Sequence, residues 1–312
     1  MPRFISTQSI ILELPLHVQH LPTLGTEVQG SVMEGTVVAG GFYVVATVAR
    51  QGIAACITSP LGTGPNSVQA RHSLGREGIS VLSREIVGDI GLRIAAIDGN
   101  GVRTTMASPG VEAEPDAREL AELVLHRDDW VLVSLNDLAY PQSAKVLSDW
   151  ATHLDEHVHL ALAGGPQVAG VDLDVLVKVL GRADVLTLNK HQVDTVRSRL
   201  GRGPIQDLLR RYVRANTMLV LRDGARGVTI QQSATDMPRG VPAIIGDVKD
   251  TTGVAAAHTG VLLASLMQGK SLENAAERAN AAATLALQGR GYYRIPTAAQ
   301  IDELLASRRI GR

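Results

Sequence analysis

At 312 residues the chain is too long for one small module and suits one large α/β domain, alone or with a modest appendage. Its 30 Lys+Arg against 31 Asp+Glu give a formal net charge of -1, which lacks the basic surplus of a nucleic-acid reader. Hydrophobic residues are 45% and aromatics only 3%, so disorder over most of the length is excluded and the core must be Ala, Val and Leu, a mix suited to helices on a parallel sheet.

The single cysteine, Cys56, can make neither an intrachain disulfide nor a Cys-rich zinc site. The opening MPRFISTQSIILELPLH lacks the pattern of a signal peptide. The most apolar helical stretch, Gly253 to Met267, is broken by His258 and Thr259 and falls short of a bilayer span. A cytoplasmic protein with no membrane or nucleic-acid partner is expected.

In chain order, Ile5 to Leu14 predicts a strand. Glu27 to Val38 alternates like a half-exposed strand. Val44 to Arg50 reads as a short buried helix ending at Gly52, followed by a strand over Ile53 to Ile57 and a helix over Ser67 to Arg76. Ile90 to Ile97 and Val102 to Ala107 flank Asp98-Gly99-Asn100-Gly101, the signature of a hairpin. Next comes an alternation. Helices are predicted at Pro115 to Leu125, Gln142 to His153, Val171 to Leu180, Val193 to Leu200 and Ile205 to Val213. Strands are predicted at Trp130 to Leu135, His159 to Ala163, Val185 to Leu188, Met218 to Leu221 and Gly227 to Ile230. This rhythm implies βαβ units and a largely parallel sheet. A helix then runs from Gly253 to near Gly269, and Ser271 caps another that reaches Gly289.

The segment Asp250-Thr251-Thr252-Gly253-Val254-Ala255-Ala256 places a small-residue turn ahead of a long apolar helix. Backbone N–H groups at such a start bind phosphate or a developing anion. An ordinary strand-to-helix corner reads the same way. His153, His157 and His159 cluster at a helix-to-strand junction, but a zinc site would need further ligands and surface histidines are the better reading. Gly62-Thr63-Gly64 is not a dinucleotide fingerprint, because Ser67 holds the third glycine position.

Taken together, the chain resembles the ribokinase-like (PfkB) carbohydrate kinases over nearly its whole length. Gly40-Gly41-Phe42-Tyr43 leading to Gly52 resembles the first family signature. Leu61 to Asn66 is similar to the glycine-rich turn that follows, and Asn189-Lys190-His191-Gln192 to the Asn-x-x-Glu motif. Gly224-Ala225-Arg226-Gly227 resembles the hairpin beside the nucleotide. Asp250 to Gly253 resembles the start of the second signature, and Asn280 to Ala283 the helix start at the adenine pocket.

The resemblance implies one doubly wound, mostly parallel α/β domain over residues 1–312. A small β-sheet lid would be drawn from about 13–40 and 90–108. It implies ATP and Mg²⁺, and transfer of the γ-phosphoryl group to a sugar-like hydroxyl. On this reading Gly253, Val254 and Ala255 form the anion-hole turn. Asn189, Gly224, Gly227, Asp250 and Asn280 take the nucleotide side, and Glu13, Gly40, Gly41 and Tyr43 the substrate side, with no metal ligand assigned. An exposed strand at Glu27 to Val38 would leave an edge for a homodimer.

The departures fall on the chemistry. The family's catalytic Asp position is Ala256, its Ala-Gly step is Val254-Ala255, its sugar-side Asn is Tyr43, and its Asn-x-x-Glu acid is Gln192. Ile11 also stands where the resemblance places a polar residue, so Tyr43 and Ile11 predict a narrower, more apolar sugar pocket. Among substitutes for the base, His258 is about 200° around the helix from Ala256 and should face away. Asp250 would have to move several ångströms, and Asp247 reads as a solvated turn carboxylate. Two classes are left: a sugar or nucleoside kinase with an unusual site, or a non-catalytic relative that binds a nucleotide or metabolite.

Overall fold

The computed structural model describes residues 2–32, 35–99, 102–289 and 294–310. Its strands are β1 (Phe4–Ser6), β2 (Ile10–Val18), β3 (Gly30–Ser31), β4 (Val37–Gly40), β5 (Ala55–Ile57), β6 (Leu61–Gly62), β7 (Ser80–Val81), β8 (Glu85–Ile86), β9 (Leu92–Ile97), β10 (Arg103–Ser108), β11 (Trp130–Ser134), β12 (His159–Ala163), β13 (Val185–Asn189), β14 (Met218–Arg222), β15 (Val228–Gln231) and β16 (Arg239–Val241). Its helices are α1 (Phe42–Arg50), α2 (Pro65–Arg76), α3 (Ala117–Glu122), α4 (Pro141–Thr152), α5 (Leu173–Leu180), α6 (Lys190–Leu200), α7 (Ile205–Tyr212), α8 (Val254–Met267), α9 (Leu272–Leu287) and α10 (Ala298–Ile310).

Nine strands form the main sheet in the order β16-β15-β14-β13-β12-β11-β1-β5-β7. The pairs from β14 across to β7 are parallel, and β15 and β16 close the far edge antiparallel. Alternation along each strand decides the layers. Ile5, Val131 and Val133 pack with Leu147, Leu176 and Val196 of α4, α5 and α6, whereas Phe4, Trp130 and Leu132 pack with Val45, Leu74 and Leu263 of α1, α2 and α8. The sheet is thus buried on both faces, which explains why its strands read as continuous apolar runs rather than alternating ones.

The chain leaves β1 toward β5 and β7, then returns to build β11 on the other side of β1. The two directions of winding part between β1 and β11, and open α/β sheets bind ligands in the crevice outside the carboxyl ends of strands at such a point.

The predicted strand over Ile5 to Leu14 is two strands in two sheets. β1 joins the main sheet; the chain crosses over Thr7 to Ser9, and β2 enters a second sheet of order β10-β9-β2-β3, with β4 also on β2. The 27–38 segment gives only the short strands β3 and β4, with residues 33 and 34 outside the described ones. The longest edge strand of that sheet is β10, which pairs with β9. The hairpin over 90–107 is present as β9 and β10, its tip at residues 100 and 101 also outside the described residues. α10 was not foreseen. No helix among the described residues is long and apolar enough to cross a membrane.

Candidate active site

The strand ends after β1, β11, β12, β13 and β14 meet the second sheet and the start of α8 around a cavity of about 550 Å³. Gln8, Ser9, Asn136, Asp137, Gly164, Gly165, Asn189, Gln192 and Arg222 line it from the main sheet's carboxyl edge. Ile11, Arg93, Thr105 and Glu112 close it from the second sheet and the chain just beyond, and Ala255, Ala256 and Thr259 from α8.

One end is acidic. Asp137 follows β11 in a single 3₁₀ turn and is 1% exposed. Its Oδ2 accepts from the Ser9 N–H at 3.2 Å. Burial pushes its carboxyl up to about 6, against the hydrogen bonds from Ser9 and Asn136, and the nearby Glu112 charge adds to the rise. Glu112 is also buried. Its carboxylate accepts from the N–H groups of Gly91 at 2.7 Å and Gly110 at 3.0 Å, yet burial still raises its pKa. Neither acid has a Lys, Arg or His partner among the described residues.

The other end is the start of α8. Gly253 takes φ +74, and a Cβ there would lie 3.6 Å from the Tyr43 ring. The helix therefore begins at Val254, and the left-handed residue is Gly253 rather than the Ala255 position. Ala255 is helical and unstrained. The Val254 N–H donates to the Thr251 carbonyl at 3.4 Å, while those of Ala255 and Ala256 lie in the first turn, where an α-helix offers no acceptor of its own. Ala256 lines the cavity with a methyl group where the resemblance puts an acid.

The sequence-predicted residues divide. Gly40, Asn189, Ala255 and Ala256 line the cavity. Gly40 has φ +67, and a Cβ there would meet the Ser9 carbonyl oxygen at 2.3 Å, so only glycine lets β4 pass this close to the β1–β2 crossing. Tyr43 is buried against Gly253 and is not part of the lining; Val44 and Ile11 form that wall instead. Glu13 is fully buried and paired with Arg93 and Arg103. It does not line the cavity, but its partner Arg93 does. Strand alternation puts Glu13 on the same side as Ile11, but the two guanidinium groups cover it.

Gly224 and Gly227 flank the turn between β14 and β15. Asn280 lies within α9 rather than at a helix start, and its amide donates to the carbonyls of Val241 and Pro242 at 3.2 and 3.0 Å. The segment Val241 to Ile244 lines a second cavity of about 210 Å³ with Glu277, Leu305 and Arg308. Asp250 accepts from the Thr252 N–H at 2.9 Å outside the main cavity, and Asp247 is exposed.

His258 is 3% exposed and not in the lining, as its helical offset predicts. Neither ring nitrogen makes a hydrogen bond of good geometry, although the Asn280 side chain lies close enough to oppose part of the shift that follows. Burial, with the Arg222 charge behind it, depresses its pKa to about 3, so the ring stays neutral. A folded-state pKa below the unfolded value contributes stability above about pH 6.5 that is lost as pH falls toward 3. His258→Phe removes two poorly satisfied buried nitrogens and this acid liability. At pH 7 it is expected to stabilise by about 1 kcal/mol. At pH 5 the gain rises by on the order of 2 kcal/mol, read as a larger upward shift in Tm at pH 5 than at pH 7. Equal shifts would contradict a depressed His258.

Mg²⁺, which the resemblance implies, finds no matching donor set. Asn189 and Gln192 spend their amides on each other's backbone: Gln192 Oε1 accepts from the Asn189 N–H at 2.8 Å, and Asn189 Oδ1 from the Gln192 N–H at 2.9 Å. Among the described residues no group of three His, Cys, Asp or Glu side chains could hold a metal ion. The residues present do not fit a protein-held Mg²⁺.

Asp137, Glu112 and Arg222 were not singled out in the sequence. For Asp137 and Arg222 a signal existed, since each follows or ends an apolar strand at the carboxyl edge of the sheet, where such folds bind ligands.

The model of the pfkB family carbohydrate kinases matches residues 17–298. The uncharacterised sugar kinase YegV of Escherichia coli strain K12 is 24% identical over 318 residues, covering 99% of this chain and 97% of that protein. The nucleoside kinase of Methanocaldococcus jannaschii superposes with a TM-score of 0.81 at 17% identity, over 98% of this chain and 99% of that one. Ribokinase of Cryptococcus neoformans in complex with ADP gives 0.79 at 18% identity, over 97% and 100%. Motif order, fold and family match agree over most of the length, and the chain belongs to the pfkB family of carbohydrate kinases.

Proposed function

We propose that the protein transfers the γ-phosphoryl group of ATP to a hydroxyl of a sugar- or nucleoside-like acceptor, slowly, through a site in which Asp137 does the work of the acid missing at 256. The observation that carries this reading is Asp137 itself: a buried carboxyl at the switch point, lining the same cavity as the start of α8 and raised to about 6. A general base works best with a pKa near the operating pH. The second sheet acts as a lid over the acceptor. The adenine of ATP lies by Val241 to Ile244, braced by Asn280 and Gly227, and the phosphates run toward Ala255 and Ala256. The acceptor oxygen attacks the γ-phosphorus, its proton passes to Asp137, and the bond to the bridging oxygen breaks to release ADP. First-turn N–H groups of α8 face the charge that builds up on the phosphoryl oxygens.

The likeness to a nucleoside kinase and to a ribokinase in complex with ADP supports the choice of substrates. The methyl group of Ala256 supports a second reading, a non-catalytic binder of nucleotide or metabolite. Pairing of two chains along β10 and a cytoplasmic setting belong to the same proposal. The test is ATP-dependent phosphorylation across a panel of hexoses, pentoses and nucleosides, followed by product mass. Slow formation of one phosphorylated acceptor is expected. Phosphorylation of no acceptor, with ATP still bound, selects the second reading.

A further inference from the structure

Among the described residues Arg222 is a cation without a counter-ion. It ends β14 and lines the main cavity beside α8. One amino group donates to the Ala255 carbonyl at 3.2 Å, while Nε is sealed from solvent with no hydrogen-bond partner. No carboxylate among the described residues pairs with it. The adjacent Asp223 is engaged by Arg226 and Lys190 instead. The side chain keeps some exposed surface, yet dense packing alone pulls its pKa down to about 10, and it stays charged at neutral pH. A guanidinium that lines a cavity and has donors to spare on its two amino groups fits a phosphate better than it fits water.

Its surroundings have lost negative charge. Ala256 is a methyl group, and Gln192 is a neutral amide tied into the cap of α6. The acids of the cavity, Asp137 and Glu112, sit at the other end; β11 and β14 are three strand spacings apart, about 14 Å. Divalent metal ions normally neutralise a nucleoside triphosphate so that carboxylates nearby can be tolerated. Among the described residues no carboxylate lines this end of the cavity, and a fixed cation stands there.

We infer that Arg222 is the phosphate-binding residue of this site and supplies in fixed form the positive charge that a metal would bring, so that the cavity takes metal-free nucleoside polyphosphate. The inference rests on the nucleotide site proposed above and assigns its charge to one side chain.

The test is calorimetric titration of the full chain with ATP, and separately with inorganic tripolyphosphate, in excess EDTA and in Mg²⁺. Wild type should bind ATP in EDTA within tenfold of its affinity in Mg²⁺. Arg222→Gln should lose at least tenfold for ATP and tripolyphosphate alike. Arg222→Lys, which keeps the charge but not the fork, should fall between them. The wild-type comparison stands even where a variant folds poorly. ATP binding that needs Mg²⁺ by more than a hundredfold overturns the inference and leaves the kinase reading intact, as does an Arg222→Gln that folds and binds like wild type. No binding of ATP or tripolyphosphate under either condition overturns both.

Discussion

Asp137→Asn is expected to do two opposite things: to cut phosphorylation by at least about 10²-fold, the lower end of what a general base contributes, and to make the protein more stable. The stability sign follows from the pKa. A carboxyl raised from 3.8 to about 6 by folding favours the folded state fully below the unfolded value, and that contribution is lost as pH rises through 6. At pH 7 the buried carboxylate is therefore a standing cost, on the order of 3 kcal/mol for a shift of this size. The neutral amide keeps an oxygen for the Ser9 N–H and avoids the charge. The gain in Tm should be clear at pH 7 and vanish near pH 4. Glu112 limits it, since its own carboxylate stays buried beside the site. The acid limb of the wild-type rate should fall with an apparent pKa near 6, and Asp137→Asn should lose that limb. A variant with full activity would remove Asp137 from the chemistry. A variant less stable than wild type at pH 7 would mean that the carboxylate is better satisfied than its partners indicate.

The second large effect concerns position 256. Turnover of wild type is expected below 1 per second on common sugars, at or under the bottom of the usual range of about 1–100 per second for kinases. Ala256→Asp alone should change it by less than tenfold. The new acid would enter an end of the cavity that holds Arg222 and no other carboxylate, where ion pairing with the guanidinium competes with any role as base. The turn also differs. Its left-handed residue is Gly253, so the helical Ala255 and the Val254 side chain fix the first-turn N–H groups in their present positions. Groups that act as one unit do not recover when one is restored. The triple change Val254→Ala, Ala255→Gly, Ala256→Asp alters turn and base together and should exceed the single variant. Wild-type turnover of a common hexose or pentose at 1 per second or faster would contradict the account of a degraded site.

Much of the architecture was legible because it is local. Apolar runs separated by amphipathic stretches specify βαβ units, and Ser271 announces a helix start by its capping chemistry; the cap at Asn189 went unread, and α6 begins at Lys190 rather than Val193. The glycine at 40 was singled out only through the resemblance, and the structure supplies its physical reason, a close backbone approach at Ser9 that admits no side chain. The division of Ile5 to Leu14 between two sheets was not, because a continuous apolar run looks the same whether or not the chain turns a corner within it. Glu13 and Tyr43 were misplaced for another reason. A motif fixes the backbone, but Arg93 and Arg103 decide where the Glu13 carboxylate ends up, and the turn at Gly253 decides where the Tyr43 ring packs. Asp137 and Arg222 carry the chemistry proposed here only because β11 and β14 deliver residues 85 apart in sequence to one edge of the sheet. No local pattern in the chain links them.

The measurement that bears most directly on the central claim is a crystal structure of the protein grown with a non-hydrolysable ATP analogue. The adenine is expected against Val241 to Ile244, the terminal phosphates at the first turn of α8 within hydrogen-bond reach of Arg222, and open space between the γ-phosphate and Asp137 wide enough for a sugar. A nucleotide bound elsewhere, or phosphates directed away from Arg222 and Ala256, would contradict it.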